Sequence, residues 1–213
     1  IKKGVQSVAI GESAFFPYRN LTKEDLFFLI KPSEGIQKPK LLEAIRSLKI
    51  VKIYQDEIDK PNTRSQIKSF IDNESGLLKK SNGMIKNFER YQLQNFEKIE
   101  SEDININIKK LSKQVICECI YPTDNNNNNL FGPVSERDVN FCYGLSSRIT
   151  NLVTTKIYDR SFDFNDTQKK ETNLIEIIEG FLSDKQQKNF VLRIGFESLG
   201  YEFQAREILA NAI

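Results

Sequence analysis

The chain has 213 residues, enough for one large domain or for a domain with an appended subdomain. Apolar residues make up 39% and charged residues 28%, a balance that can bury a core and argues against global disorder. The formal net charge is only +2, whereas a protein that grips DNA mainly through its phosphates is usually far more basic. The basic pairs Lys79-Lys80 and Lys109-Lys110, with Lys113 nearby, therefore read as solvated faces.

Histidine is absent. That removes Ser-His-Asp triads, Cys-His proteases, His general bases and every His-containing zinc site. The three cysteines, Cys117, Cys119 and Cys142, are too few for a four-cysteine zinc site. They read as small buried hydrophobes in a reducing compartment. No apolar run is long enough to span a bilayer, so no membrane contact is expected. The chain begins at Ile1 with neither Met nor a signal-type segment and reads as part of something longer.

In chain order, Val5 opens a strand-like run that meets Gly11 and ends in a cluster at Pro17. Thr22 has the chemistry of a helix N-cap, with Asp25 three positions on and Leu26 to Ile30 following. Pro39 suits the first turn of a helix over 40–48, whose Leu41, Leu42, Ala44, Ile45 and Leu48 fit one face. Residues 50–58 are rich in β-branched and aromatic side chains and read as a strand, and so does 63–71, with a short helix as the alternative. A polar loop, Asp72 to Gly76, follows.

From Gly83 to Phe96 the chain has no breaker, and from Glu89 to Gln94 its apolar residues come close to alternating, as in a half-buried strand. The phase slips near Phe88, Tyr91 and Phe96, as bulges would allow. Met84, Phe88 and Tyr91 equally fit one face of a helix. Ile104, Ile106 and Ile108 alternate again, and 114–120 is a further strand candidate. Asp124 and the five asparagines after it form a low-complexity loop that divides the chain near residue 123. Beyond it, 135–155 reads as partly helical, 172–182 as a helix, 190–194 as a short strand and 201–213 as a final helix.

These elements lead to an expected fold that is mostly β with helices: an OB-type antiparallel β-barrel over 1–123 and a mixed, mainly helical extension over 124–213. Small barrels of this type bind nucleic acid or protein partners on loops and strand faces. No residue constellation demands catalysis, a cofactor or a metal, so the expected role is non-catalytic.

The order of segments resembles the OB domain of the shelterin subunit that recruits telomerase, and its ciliate counterpart among the telomerase-associated subunits. The resemblance lies in Val5 to Ser13, Lys40 to Ile45, Ile67 to Glu74, Gly83-Met84-Ile85 and Arg90 to Gln94. It implies a scaffold in the nucleus, at telomeres, that docks the telomerase reverse transcriptase and telomeric single-strand DNA-binding proteins and promotes repeat-addition processivity. It implies partner contacts at Asp72 and Glu74 in the acidic loop and at Met84, with weak or no direct nucleic-acid binding. A competing resemblance is to the RNA-binding backbone subunits of type III CRISPR effector complexes. It lies in Ile10-Gly11-Glu12 and Arg193-Ile194-Gly195, although those proteins rely on Gly-rich loops and this chain has 10 glycines.

Overall fold

The computed structural model describes residues 4–57, 66–167, 172–183 and 191–211. The elements are β1 (Val5–Ala9), α1 (Lys23–Ile30), α2 (Gln37–Asp56), α3 (Ile85–Gln94), α4 (Phe96–Glu100), α5 (Leu111–Cys117), α6 (Glu136–Thr154), α7 (Lys156–Phe162), α8 (Leu174–Ser183), β2 (Val191–Gly195) and α9 (Phe203–Asn211). Single 3-10 turns stand at Tyr18–Asn20, Ile108–Lys110 and Glu197–Leu199.

The fold is mainly helical, and the expected OB-type barrel is not there. Among the described residues the one sheet has two strands, β1 and β2, and they run parallel. Two parallel strands cannot close an antiparallel barrel. The segment read as a long bent strand is α3 followed by α4. Burial explains the misreading. Phe88 and Tyr91, three apart on one helical face, are buried, whereas Leu93, which alternated with Tyr91 in the apparent strand, is 75% exposed.

Four other expected strands also differ. Residues 50–56 continue α2, because nothing between Lys40 and Asp56 breaks the helix and tertiary burial overrides β propensity. Of the expected strand over 63–71, residues 63–65 lie outside the described residues and 66–68 are helical. Ile104, Ile106 and Ile108 are all buried, yet their segment bonds locally, Ile106 N donating to Ile104 O, before turning at Ile108–Lys110. The expected strand over 114–120 is largely α5.

Other elements follow their local signals. Thr22 caps α1: its Oγ1 accepts from Asp25 N at 3.1 Å while the Asp25 carboxylate accepts from Thr22 N at 2.9 Å. Pro39 sits in the first turn of α2, where its missing N–H leaves no helical bond unmade.

Residue contacts divide the chain into two compact units, Ile1–Leu29 with Asn151–Ile213, and Ile30–Thr150. In the first, β1 and β2 pair with Val5 opposite Val191 and Ala9 opposite Gly195. Buried Tyr18, Phe162 and Phe164 pack together, with the Phe164 ring centroid 5.7 Å from each of the other two.

In the second unit, Ile50, Val51, Ile53, Ile67, Phe70, Leu78, Phe88, Tyr91 and Ile99 form one apolar cluster. Beside it lies a polar network. The Gln114 amide acts as a substitute strand, donating to Leu78 O at 2.8 Å and accepting from Leu78 N at 2.9 Å. It also donates to Glu118 at 2.7 Å. Glu118 pairs with Lys80 at 2.6 Å, their side chains 2% and 6% exposed, and Lys80 also pairs with Glu43 at 3.0 Å. Glu43 and Glu100 both engage Arg46, at 2.9 and 2.7 Å.

Burial alone would depress the Lys80 pKa, but the Glu118 and Glu43 carboxylates outweigh it and hold it above the ordinary lysine value. Burial pushes Glu43 up, and Lys80 and Arg46 more than offset that, leaving it below the ordinary value of 4.5. A depressed carboxyl contributes stability that is present above its unfolded pKa and lost as pH falls through its folded pKa. Wild-type stability should therefore decline as pH drops below 4.5, and less steeply in Glu43→Gln. Glu118→Ala leaves the buried Lys80 ammonium with Glu43 as its one carboxylate partner and should cost about 3 kcal/mol in denaturant unfolding. A loss under about 1 kcal/mol would place this pair in the range of exposed ion pairs instead.

Candidate functional site

The parallel pair brings together two segments 186 residues apart, and their C-terminal ends form the candidate site. Ligand crevices in parallel sheets lie beyond the carboxyl ends of strands, where loops gather around exposed backbone groups. Here Ile10 N donates to Gly195 O at 2.9 Å, extending the ladder one residue past β1. The chain then turns sharply through Gly11, Glu12 and Ser13. Ala9 O accepts from Ser13 N at 2.9 Å and Gly11 N donates to Ala14 O at 2.8 Å. The Ser13 hydroxyl accepts from Ala9 N at 2.9 Å.

Gly11 is required at this turn. Its φ of +82° favours glycine, and a Cβ there would stand 2.9 Å from Ser198 Oγ and 3.1 Å from Ser161 Oγ. After β2 the chain passes through Glu197–Leu199, and the Ser198 hydroxyl donates back to Ile10 O, tying the two strand ends together. Arg193 and Glu197 form an exposed ion pair at 3.5 Å, of a kind that contributes little to stability.

A cavity of about 290 Å³ opens beside this turn, lined by Gly11, Glu12, Ala14, Arg160 and Thr172. Thr172 is held there because its carbonyl accepts from Phe15 N at 2.9 Å, while Leu174 N donates to Phe15 O at 2.8 Å. Arg160 comes from α7, whose Ser161 carbonyl accepts from Phe16 N at 2.8 Å. The cavity therefore offers one guanidinium, one carboxylate, a hydroxyl and a tight glycine turn. That set suits recognition of a ligand carrying both an anion and hydroxyl groups.

Glu12 belongs to a motif already singled out in the sequence, and the structure sets it beside Arg160 and Thr172. Those two residues carried no sequence signal, because their partners in the cavity come from the far end of the chain.

The three expected partner-contact residues are placed differently. Asp72 closes its own loop: its carboxylate accepts from Glu74 N at 3.0 Å and Ser75 N at 3.2 Å and pairs with Lys79. The Lys79 bond, with these two backbone bonds, lowers the Asp72 pKa to about 2. Glu74 is exposed in the same turn. Met84 is 51% exposed at the N-cap of α3, bridged through its backbone to Leu130. The structure thus puts Asp72 and Glu74 together on one turn and Met84 at the start of a helix instead of on a strand.

Among the described residues, no group of three or more His, Cys, Asp or Glu side chains gathers as a metal site. Cys119 and Cys142 are fully buried, and burial, followed by neighbouring Cys142, pushes the Cys119 thiol up to about 12. Such a thiol carries almost no thiolate near neutral pH. Among the described residues no helix is long and apolar enough to cross a membrane. No family model, curated protein or solved structure matches the chain.

Gly11→Ala should lower unfolding stability by about 1–3 kcal/mol, from the forced left-handed backbone and the clash with Ser198. Gly35→Ala is the comparison, since a Cβ there meets nothing within 4 Å. Equal melting of the two variants in a chemical denaturation series would show that the turn is not constrained as described.

Proposed function

We propose that the chain is an RNA-binding subunit of a type III CRISPR effector complex and that it holds RNA at the strand-end cavity. The observation that carries this reading is the convergence of Ile10-Gly11-Glu12 and Arg193-Ile194-Gly195. These short motifs come from opposite ends of the sequence and stand at the same end of one parallel strand pair. In this reading Arg160 takes a backbone phosphate in a charge-assisted hydrogen bond. The Glu12 carboxylate accepts from a ribose 2′-OH, the group that separates RNA from DNA. The Gly11 turn keeps side-chain bulk out of the approach. A net charge of +2 accords with a few phosphate contacts made inside an assembly, where other subunits supply the rest of the track.

The telomerase scaffold role drew its support from an OB barrel and an acidic contact loop. With the barrel absent and Asp72 engaged by Lys79, the strand-end motifs offer the stronger ground.

Affinity purification with protein and RNA sequencing separates the two. Repeat-derived guide RNA and effector backbone subunits in the eluate support the proposal; a reverse transcriptase with telomeric single-strand binders would overturn it. In the purified chain, Arg160→Ala should weaken single-stranded RNA binding by roughly tenfold. It should also reduce the slope of log affinity against log salt by about 1. Glu12→Ala should narrow the preference for RNA over DNA of the same sequence. Fluorescence anisotropy reads all three, and unchanged RNA affinity in Arg160→Ala would remove this cavity from the account.

A further inference from the structure

The Ile30–Thr150 unit holds a second cavity, of about 330 Å³, lined by Lys49, Lys52, Ile53, Asp56, Lys98, Ser101, Asp103 and Asn105. We propose that it is a phosphate-binding site. Three lysines line one concavity, drawn from two walls: Lys49 and Lys52 from α2, and Lys98 from α4.

The three lysines are not equivalent. Lys49 is structural. Its side chain is 4% exposed, its Nζ donates to Ser101 O at 2.5 Å and Ser101 Oγ at 2.9 Å, and Asp103 stands 3.8 Å away. These bonds tie the segment after α4 to α2 and fix the shape of the cavity. Lys52 donates to Asn105 Oδ1 at 2.5 Å, a neutral partner that leaves its charge uncompensated. Lys98 makes no ion pair among the described residues. Asp103 balances Lys49, so the cavity retains two ammonium groups against the single carboxylate of Asp56.

A concave, partly desolvated site with excess positive charge concentrates anions, because its low-dielectric walls focus the field. Lysine serves as a compact point charge for phosphate, with several donors on each ammonium. Lys52 keeps donors beyond its bond to Asn105, and the Asn105 amide adds an NH₂ group. The cavity has room for about ten waters, more than one phosphate tetrahedron requires. It therefore fits pyrophosphate, or a phosphate together with the sugar that bears it. A metal cation is disfavoured, since a cation would have to displace or outbid three ammonium groups. This site lies in the Ile30–Thr150 unit and shares no residue with the strand-end cavity.

The test is isothermal titration calorimetry on the full chain with sodium pyrophosphate, repeated with a short single-stranded RNA. The wild-type chain should bind pyrophosphate saturably, and Lys52→Met with Lys98→Met should weaken it at least tenfold. Neither side chain is buried in the core, so the double variant should melt like wild type. Asp56→Asn removes the one uncompensated carboxylate and should tighten binding severalfold. If RNA binds with the same dependence on Lys52 and Lys98 and pyrophosphate competes, the phosphate comes from nucleic acid. If pyrophosphate alone binds, the ligand is a free phosphate compound; either result supports the site. Absence of saturable binding to both probes overturns the proposal. So does binding that survives the double variant unchanged.

Discussion

The pairing of β1 with β2 is the constraint on which the Ile1–Leu29 and Asn151–Ile213 unit depends. Closing a chain between its first and last strands carries an entropy cost, but that cost rises only slowly with the length enclosed. The ladder from Val5–Val191 to Ala9–Gly195 offsets it, with the Ile10–Gly195 bond and the Ser198 hydroxyl on Ile10 O extending the closure beyond the strands. A two-stranded sheet is marginal by itself. Here it is helped by side contacts at its end: Phe15 bonds to the segment at Thr172 and Leu174, and Phe16 to Ser161. The same bonds that secure the strands place Arg160 and Thr172 beside Gly11. Stability and site geometry are therefore set by one group of interactions.

The Ile30–Thr150 unit uses charge differently. Burying Lys80 and Glu118 is expensive unless every donor and acceptor finds a partner. Gln114, Glu43, Arg46 and the Phe88 ring, 4.8 Å from the Lys80 ammonium, supply those partners. Because Gln114 also clamps both backbone groups of Leu78, the network fixes where the 70–83 segment sits as well as balancing charge. The chain's modest net charge thus conceals strong local organisation. Lys80, which read as part of a solvated face, is tied into the interior, and so is Lys49.

What was legible in the sequence followed from local chemistry. The Thr22–Asp25 cap, the proline at the start of α2, the short strand before Gly195 and the helix at 174–183 all carry their signals within a few residues. The barrel misled because alternation counts apolar residues without knowing which are buried. Leu93 is apolar and exposed, so the period it implied with Tyr91 was not the period of packing. Residues 50–56 misled for the opposite reason, since their β-branched side chains serve a buried helix. The strand-end cavity was half legible. Gly11 and Glu12 stood out as a motif, but Arg160 and Thr172 join them only through long-range pairing that no window of sequence contains.

RNA bound as proposed lies against the paired strand ends. Photo-crosslinking of 4-thiouridine-substituted single-stranded RNA to the full chain, with the crosslinked peptides mapped by mass spectrometry, tests it most directly. Crosslinks are expected within 10–14 and in the peptide that carries Arg160, competed by unlabelled RNA and weakened by high salt. Specific crosslinks confined to other peptides, with none at 10–14 or around Arg160, would contradict it.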